Sequence, residues 1–408
     1  MIQEFKKVWK PYAIGMLWLL GLIWPMLGIH PDGTLTFQNT LTVWSYLLAG
    51  SFVCLVIYVM KNSGSLTFIS DPLSRAATGM KSAGSTLPSW VWILLILVLA
   101  CIYPQFAGRY GTDVAINVLL YICLGLGLNV VVGLAGMLDL GYIAFYGVGA
   151  YTYALLNTVY GLSFWVCLPF AGVFACIVGS LVGYPTLRMR GDYLAIVTLG
   201  FGEIIRIILN NWMELTNGPN GILGIDRVGF FRILFEDGIS FETMWVKKLQ
   251  LFYYFALGLA VFTAVGVQRL NMSRVGRAWE SIREDETAAE LMGVNTFIYK
   301  LLAYATGAAF AGLAGAFFAA RMKFVSPESF TFLESAMVLC MVVLGGMGSI
   351  PGIVLGVVAL IALPEVFREL EAYRMLVFGA TMIIMMLFRP AGLIPAKRMG
   401  TRSEEKEG

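Results

Sequence analysis

Long apolar runs alternate with short polar connections along most of the chain. A helix needs about 20 predominantly apolar residues to cross the hydrocarbon core of a membrane, and these runs approach that length. The pattern therefore predicts an all-α, polytopic transmembrane helix bundle with about 10–12 spans. The expected spans lie near residues 12–29, 41–60, 90–106, 114–133, 141–158, 163–187, 193–209, 249–268, 301–320, 335–350, 351–370 and 373–388.

Two of these spans, 141–158 and 335–350, are short and rich in glycine, so either could be a half-helix or a re-entrant segment. They overlap two apolar stretches that are interrupted by glycines in a similar way, VVVGLAGMLDLGYIAFYGVGA at 130–150 and MVVLGGMGSIPGIVLG at 341–356. Paired glycine-interrupted segments in two halves of a membrane protein indicate broken helices around a central path. The glycines that we expect to line this path are Gly133, Gly136, Gly141, Gly345, Gly346 and Gly348.

The stretch 269–300, RLNMSRVGRAWESIREDETAAELMGVNTFIYK, is the longest strongly polar run between two long apolar ones. Its apolar residues recur close to helical spacing. A helix pinned between two spans in this way would lie on the membrane surface and offer itself to a partner. The recurring apolar residues are Val275, Ala278, Trp279, Ile282, Ala289 and Met292.

Within this stretch, Thr287–Glu290 has the pattern of a capping box, in which a hydroxyl and a carboxylate satisfy the first free amides of a helix. Gly293 and Asn295 can then end that helix. The sequence predicts a short capped helix with a small-residue face formed by Ala288 and Ala289.

Composition agrees with a membrane protein and excludes several functions. Hydrophobic residues make up 59% of the chain and charged residues 13%, against roughly 25% charged in globular proteins. The six cysteines sit in apolar segments without metal-ligand spacing, and His30 is the only histidine. A phosphate-cradling GxxxxGK[ST] loop is missing. We therefore expect no catalytic residues, no metal, no cofactor and no nucleic acid, and any ATPase must be another polypeptide.

Charged residues within the predicted spans are functional candidates, because burial of a charge in lipid costs about 2.5–3.5 kcal/mol on insertion scales. Glu203 and Arg206 are three residues apart on one helix and can neutralise one another. Asp139 and Asp192 stand near helix ends that water should reach. No chain of acidic or histidine side chains crosses the membrane to relay protons. Glu334 is the fifth charged candidate in or next to the predicted spans.

Lys and Arg are distributed about two to one in favour of one side, which indicates that both termini are cytoplasmic. The basic, Gly/Ser-rich connection after the second span separates the chain into three predicted parts. These are a two-helix hairpin with a basic cytoplasmic linker (1–88), a core (89–390) and a polar cytoplasmic tail (391–408). On the opposite side, Asn210–Lys248 contains turn signals typical of a folded loop. That loop is either a docking surface for an extracytoplasmic partner or a simple lid between two spans.

Four stretches resemble the permeases of branched-chain amino-acid ABC importers. They are Gly125–Tyr151, Gly191–Gly221, Gly276–Gly293 and Val343–Pro351. The resemblance extends over residues 110–390, and the additional N-terminal hairpin and linker are similar to the longer of the two permease types in these importers. It implies a subunit in the bacterial inner membrane that imports leucine, isoleucine and valine. The implied partners are a second permease subunit, two cytoplasmic ATPase subunits and an extracytoplasmic amino-acid-binding protein.

The resemblance also implies a role for TAAELMG at 287–293, which is similar to the loop through which importer permeases contact their ATPases. Thr287 stands where that loop has Glu, Glu286 lies one residue early, and no Leu-Pro follows. The residues expected in this ATPase-coupling loop are Arg277, Arg283, Glu286, Thr287, Ala288, Ala289, Glu290 and Gly293.

Two other classes stay open at this point. An ion-coupled secondary transporter of small apolar solutes would need an ion site, for which Glu203 and Arg206 are the candidates. An integral-membrane enzyme would need a convergent set of polar residues near one leaflet, and we find none. Because the spans hold few fixed charges, we expect the path to bind a zwitterion weakly, through small residues and exposed backbone.

Overall fold

The computed structural model describes residues 89–187, 189, 191–234, 240–245, 249–366, 379 and 392–394. Outside this part lie residues 1–88, with the predicted spans 12–29 and 41–60, the predicted span 373–388 except for residue 379, and most of the tail. The three-part domain organisation therefore stays a prediction. The packing reported below belongs to the unit that begins at Val98.

The described part is almost entirely helical, as the apolar pattern predicts. Its helices, in chain order, are α1 (Ser89–Phe106), α2 (Arg109–Asn129), a π-helix (Val130–Leu134), α3 (Ile143–Tyr160), α4 (Phe164–Thr186), α5 (Asp192–Asn211), α6 (Met213–Thr216), α7 (Leu249–Asn271), α8 (Arg274–Glu284), α9 (Glu286–Leu291), α10 (Thr296–Met322), α11 (Phe332–Gly345) and α12 (Ile350–Val366). Short 3₁₀ turns occupy Gly218–Asn220 and Pro327–Ser329.

Six helical segments in the described part are long and apolar enough to cross a membrane, which confirms a polytopic helical membrane protein. The predicted spans 90–106 and 351–370 contain shorter apolar helices, Leu97–Phe106 and Ile350–Ala362. Predicted span 335–350 is shifted, because α11 ends at Gly345. The six segments are Arg109–Leu134, Phe164–Thr186, Tyr193–Asn211, Leu249–Asn271, Thr296–Met322 and Pro327–Gly345.

The strands form two antiparallel pairs. β1 (Ile222–Leu223) pairs with β4 (Phe324–Val325), with Ile222 opposite Val325. β2 (Gly229–Leu234) pairs with β3 (Ser240–Trp245), with Gly229 opposite Trp245. The segment predicted as a folded loop is therefore folded, and β1 ties it to the connection that follows α10.

Helix α10 packs closely against α3 and α4, because glycine and alanine line its buried face. A Cβ atom added to Gly312 would lie 2.5 Å from the Cβ of Ala175 on α4, and one added to Gly149 on α3 would lie 2.7 Å from the Gly312 carbonyl carbon. Small residues let helix backbones approach this closely in membranes. The α3–α4–α10 unit is thus the rigid centre of the bundle.

The glycine-rich stretches contain the predicted breaks. The π-helix Val130–Leu134 extends α2 and is followed by the irregular segment 135–142, where Gly136 has φ +73°. Between α11 and α12, Gly346 and Gly348 have φ +114° and +88°, a backbone region that favours glycine. The Oδ1 atom of buried Asn129 accepts a hydrogen bond from the Gly348 amide at 2.8 Å. The end of α2, next to the first break, is therefore bonded to the second break.

Asp139 lies inside the first break and is 1% exposed. Its Oδ1 accepts a hydrogen bond from the Gly141 amide at 2.9 Å, and the adjacent Leu140 amide donates to Thr198 Oγ1 of α5 at 3.1 Å. The expectation that water reaches Asp139 is wrong, because segment 135–142 folds back against α5. Burial raises the pKa of the Asp139 carboxyl to about 7, against the opposing effect of the Gly141 and Thr198 hydrogen bonds.

We expect Asp139 to make stability depend on pH. Since its pKa is raised on folding, the stability it contributes is complete below its ordinary pKa of 3.8 and is lost as pH rises through about 7. Asp139→Asn keeps the Oδ1 acceptor and removes the titration. At about pH 8 the variant should have a higher thermal unfolding midpoint in detergent than the parent, and at about pH 4, close to the ordinary pKa, the difference should be small. An equal offset at both pH values would contradict this.

Candidate functional site

Helix α8 is fixed to the bundle by one face. Ser273 caps its first turn, accepting amide hydrogen bonds from residues two and three positions later. Ala278, Trp279 and Ile282 are buried on the bundle side. The Trp279 indole donates a hydrogen bond to the Tyr299 carbonyl oxygen at 2.7 Å, close to the start of α10. The predicted helical periodicity is confirmed here, and α8 is a fixed element rather than a flexible loop.

One residue separates the end of α8 from the start of α9. The residue between them, Asp285, is extended and caps α9, because its Oδ1 accepts hydrogen bonds from the amides of Thr287 at 2.8 Å and Ala288 at 3.0 Å. The predicted capping box is therefore wrong in register: Thr287 lies inside the helix. Gly293, at φ +86°, turns the chain as predicted. Asn295 instead caps α10.

The inner side of α9 packs on its own chain. Ala289 is 5% exposed, whereas Ala288 is exposed. Glu286 forms an ion pair at 2.5 Å with Lys300 of α10, whose side chain is 9% exposed. The expectation that both alanines form a face for a partner is wrong for Ala289, because the turn at Asp285 directs that residue toward the bundle.

Arg283, near the end of α8, reaches the first helix break. Its guanidinium donates a hydrogen bond to the Gly133 carbonyl oxygen in the π-helix. A Cβ atom on Gly136 would lie 2.7 Å from Arg283 Cγ, so the arginine stem lies directly on this glycine. Arg283, expected in the ATPase-coupling loop, therefore has its guanidinium directed into the bundle. The chain thus connects α8 to a break that is 150 residues away in sequence.

A cavity of about 150 Å³ lies where the first break, the start of α5 and helices α8–α10 meet. Three charged groups line it, two basic and one acidic, so this junction is polar and partly open. Its lining includes Ala135, Met137, Leu194, Arg283, Glu286 and Lys300. In the described part, no group of three or more His, Cys, Asp or Glu side chains is arranged to hold a metal ion.

The outer side of α9 carries two large exposed apolar side chains, Leu291 at 83% and Met292 at 85%. Thr287, Ala288 and Glu290 are exposed beside them. Leu291 was not among the residues expected from the sequence, and Met292 was expected only as part of the apolar pattern at helical spacing. Met292 keeps the spacing from Ala289, but α9 ends at Leu291, so its side chain points outward. We call Thr287, Ala288, Glu290, Leu291 and Met292 the α9 outer surface.

The other predicted residues lie elsewhere. Arg277 is exposed on α8 and donates to the Met272 carbonyl oxygen at 3.3 Å. Glu203 and Arg206 form the expected ion pair on α5, at 2.8 Å, with side chains 31% and 29% exposed. Both side chains are therefore partly exposed on the outside of the described bundle.

The six path glycines occupy close contacts and turns within the chain. A Cβ atom would lie 2.6 Å from the Gly348 amide if added to Gly133, 2.9 Å from the Thr198 carbonyl carbon if added to Gly141, and 2.5 Å from the Gly352 carbonyl oxygen if added to Gly345. Gly136, Gly346 and Gly348 have positive φ angles. These contacts account for the glycines by packing and backbone conformation, and their assignment to a path stays a prediction.

Known proteins resemble this chain over nearly its whole length. It is 48% identical to the high-affinity branched-chain amino acid transport system permease protein LivM of Escherichia coli K12, over 95% of this chain and 94% of the relative. The corresponding LivM of Salmonella typhimurium is 41% identical over the same shares. The LivH permease of Salmonella typhimurium is 26% identical over 67% of this chain and 91% of that protein. No solved structure is significantly similar.

A family model described as the branched-chain amino acid transport system permease component matches residues 111–386. This region contains both helix breaks, α5 and the α8–α9 pair. The match covers more than half of the chain and agrees with the identity to the LivM proteins. The chain therefore belongs to the family of branched-chain amino acid transport system permease components.

Proposed function

We propose that this protein is the membrane permease subunit of an ATP-driven importer for leucine, isoleucine and valine. Its near-full-length similarity to LivM proteins supports the substrate class. The single structural observation that carries the proposal is the link from α8 to the first break, made by the Arg283 guanidinium on the Gly133 carbonyl oxygen. An importer subunit without its own nucleotide site needs such a link to convert movement of a partner into movement of the membrane helices.

The partners follow from what this chain lacks and what it exposes. Its sequence has no phosphate-binding GxxxxGK[ST] loop, so ATP would be hydrolysed by two cytoplasmic ATPase subunits. The related LivH permease is the model for a second permease subunit that completes the path. The folded segment that contains β1–β3 would face outside and receive a soluble amino-acid-binding protein. Both termini would be cytoplasmic, in a bacterial inner membrane.

The α9 outer surface would be the contact with an ATPase. Exposed leucine and methionine side chains beside polar ones resemble the apolar centre and polar rim of a protein interface. Burying them on a partner is worth about 1.5–3 kcal/mol per fully buried side chain. Rim charges such as Arg277 and Glu290 add only about 0–1 kcal/mol each. Shape and apolar burial would therefore decide the docking.

Movement of α9 would reach the helix breaks through three connections. Glu286 pairs with Lys300, Trp279 is bonded to the Tyr299 carbonyl, and Arg283 is bonded to Gly133. The first two carry displacement to α10, the centre of the bundle. The third carries it to the π-helix, and the Asn129 contact passes it to the second break. An ion-coupled transporter is not favoured, since Glu203 and Arg206 neutralise one another.

Replacing Leu291 and Met292 together by Asp should release the ATPase while leaving the membrane subunit folded, because both side chains are exposed. The lost apolar burial corresponds to at least about a tenfold weaker complex. Co-purification of the ATPase with the tagged permease, together with leucine uptake, measures this. The control is Met272→Asp, since Met272 is 69% exposed at the end of α7, outside this surface. Full ATPase retention by the double variant would refute the contact.

Replacing Arg283 by Ala should uncouple ATP hydrolysis from uptake without releasing the ATPase. Loss of a hydrogen bond from a charged group costs about 1.5–3 kcal/mol, or roughly 10- to 100-fold in the coupled rate. The measurement is leucine transported per ATP hydrolysed in proteoliposomes. Arg274→Ala, at an exposed arginine on the same helix, is the matched control and should behave as the parent. Equal coupling ratios in the two variants would show that the Gly133 contact transmits nothing.

A further inference from the structure

Among the six described candidate spans, α5 is the least covered. Only 17% of its apolar membrane-spanning stretch is buried, against at least 33% for each of the other five spans. One side packs on the bundle through Leu194, Ala195 and Thr198, and a Cβ atom on Gly202 would lie 2.9 Å from the Gly141 Cα atom. The opposite side has no cover from the described part of the chain.

The uncovered side of α5 carries a charged pair between apolar residues. The Glu203–Arg206 ion pair lies on it, about a third exposed, and Gly200 one turn away has no atom within 4 Å of where a Cβ would stand. Glu203 is eight residues from the helix end at Asn211, about 12 Å at 1.5 Å per residue. The exposed apolar residues on this side are Tyr193, Ile196, Ile204, Ile207 and Ile208.

A face of this kind is unsuited to lipid. Charged side chains within the hydrocarbon core cost about 2.5–3.5 kcal/mol each on insertion scales, so they face the bundle interior or a water-filled cavity. The exposed face of α4 shows the contrasting pattern, because Phe170, Val173, Phe174 and Ile177 are all apolar. The ion pair between Arg321 and Asp113, in contrast, lies at helix ends.

We propose that the uncovered face of α5 lines the translocation path and that Glu203 and Arg206 receive the charged head of an α-amino acid. This inference rests on the proposed function and names the part of the subunit that touches the substrate. The ammonium group would pair with the Glu203 carboxylate, and the carboxylate would pair with the Arg206 guanidinium, which can donate two parallel hydrogen bonds. The apolar side chain would lie along Ile204 and Ile207, in the open space beside Gly200.

The chemistry of the substrate fits this arrangement closely. The two charges of an α-amino acid sit on groups attached to one carbon atom, and the Glu203 and Arg206 side chains place their own charged atoms 2.8 Å apart. Binding exchanges one ion pair for two others, so the net gain is small. A weak site is what passage requires, because the substrate must leave as readily as it enters. This assignment replaces the expectation that small residues and backbone alone hold the zwitterion.

Water access to α5 can be measured with cysteine labelling in the reconstituted importer, with both permeases, the ATPases and the binding protein, after replacement of the native cysteines. Ile204→Cys is compared with Phe174→Cys on α4, because the parent side chains are equally exposed, at 50% and 51%. The cysteine thiolate, which forms only where water reaches it, attacks a polar thiol-specific reagent. We expect Ile204→Cys to react at least about tenfold faster. Equal rates would overturn the assignment of α5 to the path.

The role of the charges is tested by Glu203→Gln combined with Arg206→Gln, which removes both charges and keeps the side-chain lengths. We expect a normal amount of assembled complex and leucine uptake reduced at least about tenfold. Uptake equal to the parent would show that the pair only neutralises itself. If the double variant does not assemble, Glu203→Asp, which withdraws the carboxylate by one methylene, is measured with the same two outcomes.

The parent complex in the same vesicles separates this inference from the proposed function. Absence of ATP-dependent leucine uptake by the parent would refute the proposed function itself. Uptake by the parent together with unchanged variants would refute only the assignment of Glu203 and Arg206. Loss of uptake in the double variant, with labelling confined to α5, would support both.

Discussion

The structure depends on how the backbone is satisfied where helices break inside the bundle. A membrane offers no water to unpaired amides and carbonyls, so irregular segments survive only when other groups supply the hydrogen bonds. Here side chains make these hydrogen bonds. Asn129 accepts one from the Gly348 amide, Thr198 accepts one from the Leu140 amide, and Arg283 donates one to the Gly133 carbonyl oxygen. Each bond both satisfies a break and attaches it to another element.

The same hydrogen bonds connect parts of the subunit that are far apart in the chain. The end of α2 is bonded to the break at 346–349, the π-helix is bonded to α8, and segment 135–142 is bonded to α5. These parts are therefore connected, and a shift of one would act on the others. The close glycine and alanine contacts of α10 with α3 and α4 provide a rigid centre against which they can move. Displacement of α8 and α9 by a partner would therefore act on the breaks and α5 rather than dissipate in a surface loop.

Helix α5 takes part in both proposed activities, the coupling to an ATPase and the binding of the substrate. Its buried side is held by Thr198 and by the contact of Gly202 with Gly141, next to the break that Arg283 reaches. Its uncovered side carries the Glu203–Arg206 pair. In the proposed function, one face of this helix would receive movement from α8 and the other would meet the substrate. This arrangement explains how a contact at the membrane surface could alter a binding site about two helical turns inside the span.

The sequence by itself determined the features that depend on local spacing. Apolar run length predicted the helical membrane fold, 3.6-residue periodicity predicted the buried Trp279 and Ile282 face of α8, and i,i+3 spacing predicted the Glu203–Arg206 pair. Only the tertiary structure decided which way Ala289 and Met292 point, that Asp139 is buried, and that Arg283 is bonded to Gly133 rather than to a partner. Those outcomes depend on contacts between residues far apart in the chain, 150 positions for Arg283 and Gly133, which local patterns do not encode.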